Sequence, residues 1–183
     1  MDQKKILRKR YYYLRKKKYY DIDQEFFFPL IKLIKSKLKR KNLNLALYYP
    51  SNFELNVLKF LENDYMKNKD VLLPAIERQN NMNFYSWKKN QALFVNQFGM
   101  LEPGKTKMNI PNFILVPILV FDKHKYRLGY GRGFYDRYLN KYLKRFKNIV
   151  TVGVAFSFQK YHKLPRDKND VKLNYILTEK GIY

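Results

Sequence analysis

The stretch RLGYGRGFYDRYL, Arg127 to Leu139, sets glycines at 129, 131 and 133 among Arg127, Arg132 and Arg137, with Asp136 beside the last. Glycine lets a backbone come close to an anion, and arginine presents paired donors to phosphate oxygens. Asp136 adds a carboxylate of the kind magnesium takes, one or two at a time, with phosphate oxygens and water filling its other positions. Together these types point to nucleotide–Mg2+ binding. The spacing is G-x-G-x-G, which is neither the P-loop G-x-x-x-x-G-K-[ST] nor the dinucleotide fingerprint G-x-G-x-x-G. Taken alone, such a loop is also what a tight turn in a basic protein looks like.

Position strengthens the phosphate reading. The apolar run NFILVPILVFD, Asn112 to Asp122, predicts a strand covered on both faces, with Pro117 marking a bulge or edge. A polar turn, Lys123 to Tyr126, leads into the glycines. Beyond Gly133, Phe134, Tyr138, Tyr142 and Phe146 recur every four residues, flanked by Leu139 and Leu143, which predicts a helix. Strand, glycine loop, helix is an order that aims backbone N–H groups and a helix N-terminus at one spot.

The remaining elements alternate in the same way. A basic helix opens the chain, with Ile6, Leu7, Tyr11 and Leu14 near helical spacing. A second begins around Pro29 and carries Leu30, Ile31, Leu33, Ile34 and Leu38. LNLALYY (Leu43 to Tyr49) predicts a buried strand, after which Ser51 or Asn52 caps a helix with Leu55, Leu58 and Leu61. DVLLP (70–74), MNFYSW (82–87), NIVTVGVAF (148–156) and NYILT (174–178) predict further strands, the last closing the series. The expected fold is a single-domain, three-layer α/β/α sandwich over residues 1–183, with a mainly parallel central sheet.

Composition narrows the function. Apolar residues make up 46% of the 183, too many for a disordered chain. No apolar run approaches the roughly 20 residues that span a bilayer, so no membrane partner is expected. MDQKKILRKRYYYLRKKK has no apolar core region, which argues against a cleaved secretory signal. Cysteine is absent, which excludes disulfides and thiolate metal sites and suits a cytoplasmic protein. His124 and His162 lack ligand-spaced partners, which argues against zinc. The net charge is +23, concentrated from Lys4 to Lys18 and again over Lys35, Lys37, Lys39, Arg40 and Lys41. Such a field attracts polyanions, and Tyr11–Tyr13 among lysines would suit RNA, so a basic RNA-binding protein on an α/β scaffold is the alternative. RNA binding gives no reason for Asp136 or for a glycine loop feeding a helix, and nucleic acid is not the expected partner.

The glycine segment closely resembles the signature of the 5-formyltetrahydrofolate cyclo-ligase family, also called 5,10-methenyltetrahydrofolate synthetases. The resemblance runs in family order along nearly the whole chain. KKILR, YYPSNFELN, VLLP, MNF and GMLEP precede VPILVFD and the glycine loop. GVAFSFQ, KLPRDKNDV and NYILTEKGI follow. It implies ATP- and Mg2+-dependent cyclisation of 5-formyltetrahydrofolate to 5,10-methenyltetrahydrofolate with release of ADP and phosphate. The formyl oxygen is phosphorylated, N10 attacks, and phosphate leaves. A monomer is expected.

Carried over by position, the resemblance gives ATP contacts to Lys4 and Arg8, which share a helix face at a spacing of four. It gives further contacts to Arg127, Leu128, Gly129, Tyr130, Gly131, Arg132, Gly133, Phe134 and Tyr135, with Arg127 and Tyr135 catalytic. Asp136 and Asp170 would hold Mg2+. Glu54 would hydrogen-bond the pterin ring, and Tyr49, Met82 and Phe98 would line the folate pocket. Four positions depart from the family pattern: Arg132 for glycine, Phe134 for tyrosine, Asn169 for histidine and Asn174 for aspartate.

Plainer roles stand beside these. Lys4 and Arg8 could be solvated members of a basic run, and Asp136 could pair with a neighbouring arginine. Asp170 could cap a turn, and Glu54 could favour a helix dipole. Met82, Phe98 and Trp87 could be core.

Overall fold

The computed structural model describes residues 2–38 and 42–183. Lys39, Arg40 and Lys41 of the second basic cluster lie outside the described residues. Helix α1 runs Gln3–Lys18, its first turn capped by the Asp2 carboxylate, which accepts from Lys4 N at 2.9 Å. Its buried face is Lys4, Leu7, Tyr11 and Arg15. Ile6, expected on the apolar stripe, is exposed. A 3-10 turn (Gln24–Phe27) leads into α2, Phe28–Leu38.

The strands follow as β1 (Leu45–Ala46), β2 (Val71–Ile76), β3 (Met82–Trp87), β4 (Leu93–Val95), β5 (Leu101–Pro103), β6 (Phe113–Pro117), β7 (Val120–Asp122) and β8 (Arg127–Leu128). Helix α3, Phe134–Arg145, comes next, then β9 (Val150–Val154), β10 (Lys160–Tyr161), β11 (Tyr175–Thr178) and β12 (Gly181–Ile182). The central sheet orders β12-β11-β9-β6-β1-β2-β3. Its five inner strands are parallel, and the two edges, β12 and β3, are antiparallel.

Alternation along the strands builds three layers. Phe113 and Leu115 of β6 pack on one face with Leu30, Ile34 and Leu38 of α2. Ile114 and Val116 pack on the other with Tyr138, Leu139 and Tyr142 of α3. Because the inner strands are covered on both faces, they read in sequence as unbroken apolar runs. Helix α1 packs separately, through Leu7 and Tyr11, on Leu119, Val120 and Leu128.

Three expectations need correction. The run Asn112–Asp122 is two strands, because the proline at 117 ends β6 and the chain turns into a second sheet, β10-β7-β8. No α-helix starts at Ser51 or Asn52. Asn52 and Phe53 take left-handed φ of 48° and 62°, and Asn56 caps a 3-10 helix, Val57–Glu62, that carries Leu58 and Leu61. NYILT is not the last strand, since β12 folds back on it.

Candidate active site

In chain order β1 is followed by β2 on one side of the sheet and by β6 on the other, so the winding reverses between β1 and β6. Open α/β sheets leave a crevice beyond the carboxyl ends of the strands at such a reversal. A cleft of about 980 Å3 lies there. Tyr48 to Glu54 enter it after β1, Pro74 and Ile76 from β2, and Pro117 to Leu119 after β6. The structure brings every sequence-nominated site residue to this cleft: Lys4, Arg8, Tyr49, Glu54, Met82, Phe98, Arg127 to Asp136, and Asp170.

One wall is the glycine loop. The buried Asp122 carboxylate fixes the turn before it, accepting from His124 N (2.9 Å), Tyr126 N (3.1 Å) and Arg166 (3.1 Å). Burial would raise the Asp122 titration, but these donors outweigh it and hold the carboxylate ionised. Gly131 and Gly133 adopt φ of 98° and 68°, which only glycine takes without strain, and Gly133 starts α3. A side chain at Gly131 would meet the Arg8 guanidinium at 3.2 Å, so glycine is what lets that cation lie against the loop. Arg8 Nε donates to Gly129 O at 2.9 Å.

The charges meet in pairs. Arg127 donates to Asp136 Oδ1 at 2.9 Å, the pairing that a plainer reading allowed. Val171 N also donates to Asp136 Oδ1, at 3.2 Å, which brings the Asp170 segment beside it. Lys4 Nζ donates to Asp170 and Asp167, each at 2.6 Å. Burial lowers the Lys4 titration, yet the two carboxylates outweigh it and keep the ammonium charged. The Tyr135 hydroxyl is buried without a partner, and burial lifts its pKa far above the ordinary value, so it stays protonated.

The opposite wall is more apolar. Asn96 Oδ1 accepts from Phe98 N (2.9 Å) and Met100 N (3.1 Å), holding Phe98 at the mouth. There it packs 5.8 Å from Phe134, with the Arg132 guanidinium 3.8 Å over its ring. Met82 lies in the α3-side core with its flank on the cleft, while Trp87 is core. Glu54 is 7% exposed and accepts from Ser51 N at 2.9 Å. Burial pushes its carboxyl up to about 7, against the opposing effects of Arg15 and the Ser51 donors. Such a group accepts or donates a proton near neutrality, and a perturbed carboxyl in a cleft is a mark of function.

Of the four departures, Asn174 is structural: its Oδ1 accepts from Thr151 N and Oγ1, tying β11 to β9. Asn169 lines the cleft, and its carbonyl accepts from Asn140. Asp167 and Arg15 escaped the sequence reading. Asp167 stood in plain view three residues before Asp170. Arg15 continues the Lys4–Arg8 face of α1 but was masked by the surrounding basic run.

The model of the 5-formyltetrahydrofolate cyclo-ligase family matches residues 2–179. The chain belongs to that family. A cyclo-ligase of Haemophilus influenzae is 32% identical over 150 residues, 76% of this chain and 78% of its own length. One of Mycoplasma genitalium is 32% identical over 138 residues, 73% and 71% of the two chains. Among solved structures, a 5,10-methenyltetrahydrofolate synthetase of Aquifex aeolicus superposes with a TM-score of 0.74 at 34% identity, covering 98% of this chain and 91% of that one. A Mycoplasma pneumoniae synthetase gives 0.69 at 26% identity, covering 97% and 98%. This cyclo-ligase family member is thus an enzyme of the ligase class with a mainly parallel α/β fold. No helix among its described residues is long and apolar enough to cross a membrane.

Proposed function

We propose that the chain converts 5-formyltetrahydrofolate and ATP to 5,10-methenyltetrahydrofolate, ADP and phosphate. The observation that carries this reading is the composition of one cleft. A glycine loop ringed by Lys4, Arg8 and Arg127 faces an aromatic wall that holds a buried proton-exchanging carboxyl. Its volume of about 980 Å3 lies at the upper end of the range for small-molecule clefts.

The reaction explains the pairing. A formamide oxygen is a poor leaving group. Transfer of the γ-phosphoryl to that oxygen makes the carbon electrophilic and the oxygen able to leave. The N10 nitrogen attacks, a C–N bond forms, the C–O bond breaks with loss of phosphate, and the N10 proton is released. Phosphoryl transfer asks a protein chiefly to position the groups and neutralise charge. The loop N–H groups and Arg127 would hold the phosphates, with Arg8 and Lys4 at their flank. Glu54 would bond the pterin edge, while Tyr49, Met82 and Phe98 enclose the ring. Tyr135, buried and protonated, would donate a hydrogen bond within the site.

Magnesium fits the donor set. Asp136 and Asp170 are neighbouring, partly exposed carboxylates on one cleft. A cation that fills its remaining positions with phosphate and water needs no more. Among the described residues no group of three such ligands exists that would hold a metal without phosphate. Bound there, magnesium would offset charge on the β- and γ-phosphates. The chain is read as a cytoplasmic monomer.

The test mixes purified protein, ATP, Mg2+ and 5-formyltetrahydrofolate and follows the methenyl product by absorbance. Absence of product beside an active cyclo-ligase control rejects the reading. Salt-sensitive RNA binding without turnover would put the RNA alternative in its place.

A further inference from the structure

Arg15 is the largest fully buried side chain among the described residues, at 1% exposure. A guanidinium cannot shed its charge, so burial on this scale is costly unless its donors are met. Its two terminal nitrogens are met by three separate segments. One terminal nitrogen donates to Ile118 O at 3.0 Å, at the end of β6. The other donates to Asn52 O at 2.8 Å and to the Tyr130 hydroxyl. None of these acceptors is a carboxylate, and Arg15 Nε is buried without a partner.

The identity of the segments gives the arrangement its meaning. Asn52 lies in the left-handed turn that delivers Glu54, with its own φ at 48°. Tyr130 lies in the glycine loop, with its ring 5.6 Å from the Arg15 guanidinium. Ile118 lines the same cleft. One planar fork therefore spans the aromatic side and the phosphate side of the cleft from behind. Its charge also bears on Glu54, opposing the effect of burial there, and on Tyr130.

We propose that Arg15 is a positioning residue that couples the two halves of the cleft, so that nucleotide on the glycine loop tightens folate at the Ser51–Glu54 turn, and the reverse. The inference rests on the ATP-and-folate reading above. Filling the loop restrains Tyr130, and through the fork this restrains the Asn52 carbonyl and the turn that aims Glu54. Coupling between sites is reciprocal, and a rigid shared element is a physical way to carry it.

The experiment measures 5-formyltetrahydrofolate affinity by calorimetry, with and without a non-hydrolysable ATP analogue and Mg2+. In the wild type the analogue is expected to tighten folate binding by about fivefold or more. In Arg15→Met, and in Arg15→Lys, which keeps the charge but loses the fork, the tightening falls below about twofold. Tyr130→Phe removes one acceptor and leaves Arg15 in place. It loses coupling in the same direction and decides the matter if the Arg15 variants melt non-cooperatively. A purely structural role would lower thermal stability and leave the affinity ratio intact, which overturns the proposal, as does a wild type with no coupling. Wild-type protein that binds neither ligand would overturn the functional reading itself. Wild-type turnover with coupling preserved in every variant overturns only the role of Arg15.

Discussion

Arg127 and Asp136 face each other at 2.9 Å across the glycine loop, the arginine almost wholly buried and the aspartate partly open to the cleft. Both aspartate oxygens accept from the guanidinium, Oδ2 at 3.4 Å, and the pair ties the strand before the glycine loop to the first turn of α3. Asp136→Asn keeps the shape and removes the charge. Turnover is expected to fall at least about 100-fold, with the magnesium half-saturation point raised. Steady-state rates against Mg2+, alongside circular dichroism to confirm folding, check it. Unchanged activity would take Asp136 out of the site.

Glu54 carries a stability signature independent of catalysis. Its carboxyl titrates near 7 in the folded protein, against an ordinary 4.5, because burial disfavours the anion. The folded state therefore holds the proton more tightly than the unfolded chain. The resulting stabilisation is complete below about pH 4.5 and is lost as pH rises through 7. Glu54→Gln cannot ionise, so the wild type should lose on the order of 3 kcal/mol relative to it across that window. Denaturant melts of both proteins at pH 5 and pH 8 read this directly, and a pH-independent gap would refute it.

Gly131→Ala strains a backbone at φ 98° and pushes a methyl group toward Arg8. The strain is on the order of 1–3 kcal/mol. Displacement of the guanidinium should raise the ATP KM several-fold more than the folate KM. Equal effects on the two substrates would mean that Arg8 does not serve the nucleotide half.

Gly153 tests the packing behind the cleft. A methyl group there would approach Ile118 at 2.3 Å and Ile176 and Leu173 at 2.8 Å, on the α3 side of the sheet. Gly153→Ala should destabilise the protein by about 1–3 kcal/mol and, because Ile118 also lines the cleft, raise both KM values together rather than one alone. Thermal melting with steady-state kinetics separates the two effects.

The sequence disclosed the site more fully than the backbone that carries it. The glycine loop and the carboxylates were legible as one group because their residue types and spacing stand out, and the fold brings them to one cleft. The two-strand character of Asn112–Asp122 was hidden because every side chain from Phe113 to Phe121 is apolar, and only Pro117 hinted at the break. The turn at Asn52 and Phe53 was illegible for another reason. Left-handed φ at a phenylalanine is set by tertiary demand, here the delivery of Glu54, and not by local preference. Arg15 was obscured by its neighbours: nine cations between Lys4 and Lys18 share a composition, and only folding shows which of them points inward.

The Lys4 contacts to Asp167 and Asp170 also set a timetable. Synthesis delivers the lysine first and its carboxylates more than 160 residues later. At about 5–20 residues per second the opening helix must wait on the order of 10–30 s for them. Until then the glycine-loop wall of the cleft lacks one side. A ribosome-bound chain would carry the glycine loop before the wall beside it is complete, so the finished cleft belongs to the whole fold alone.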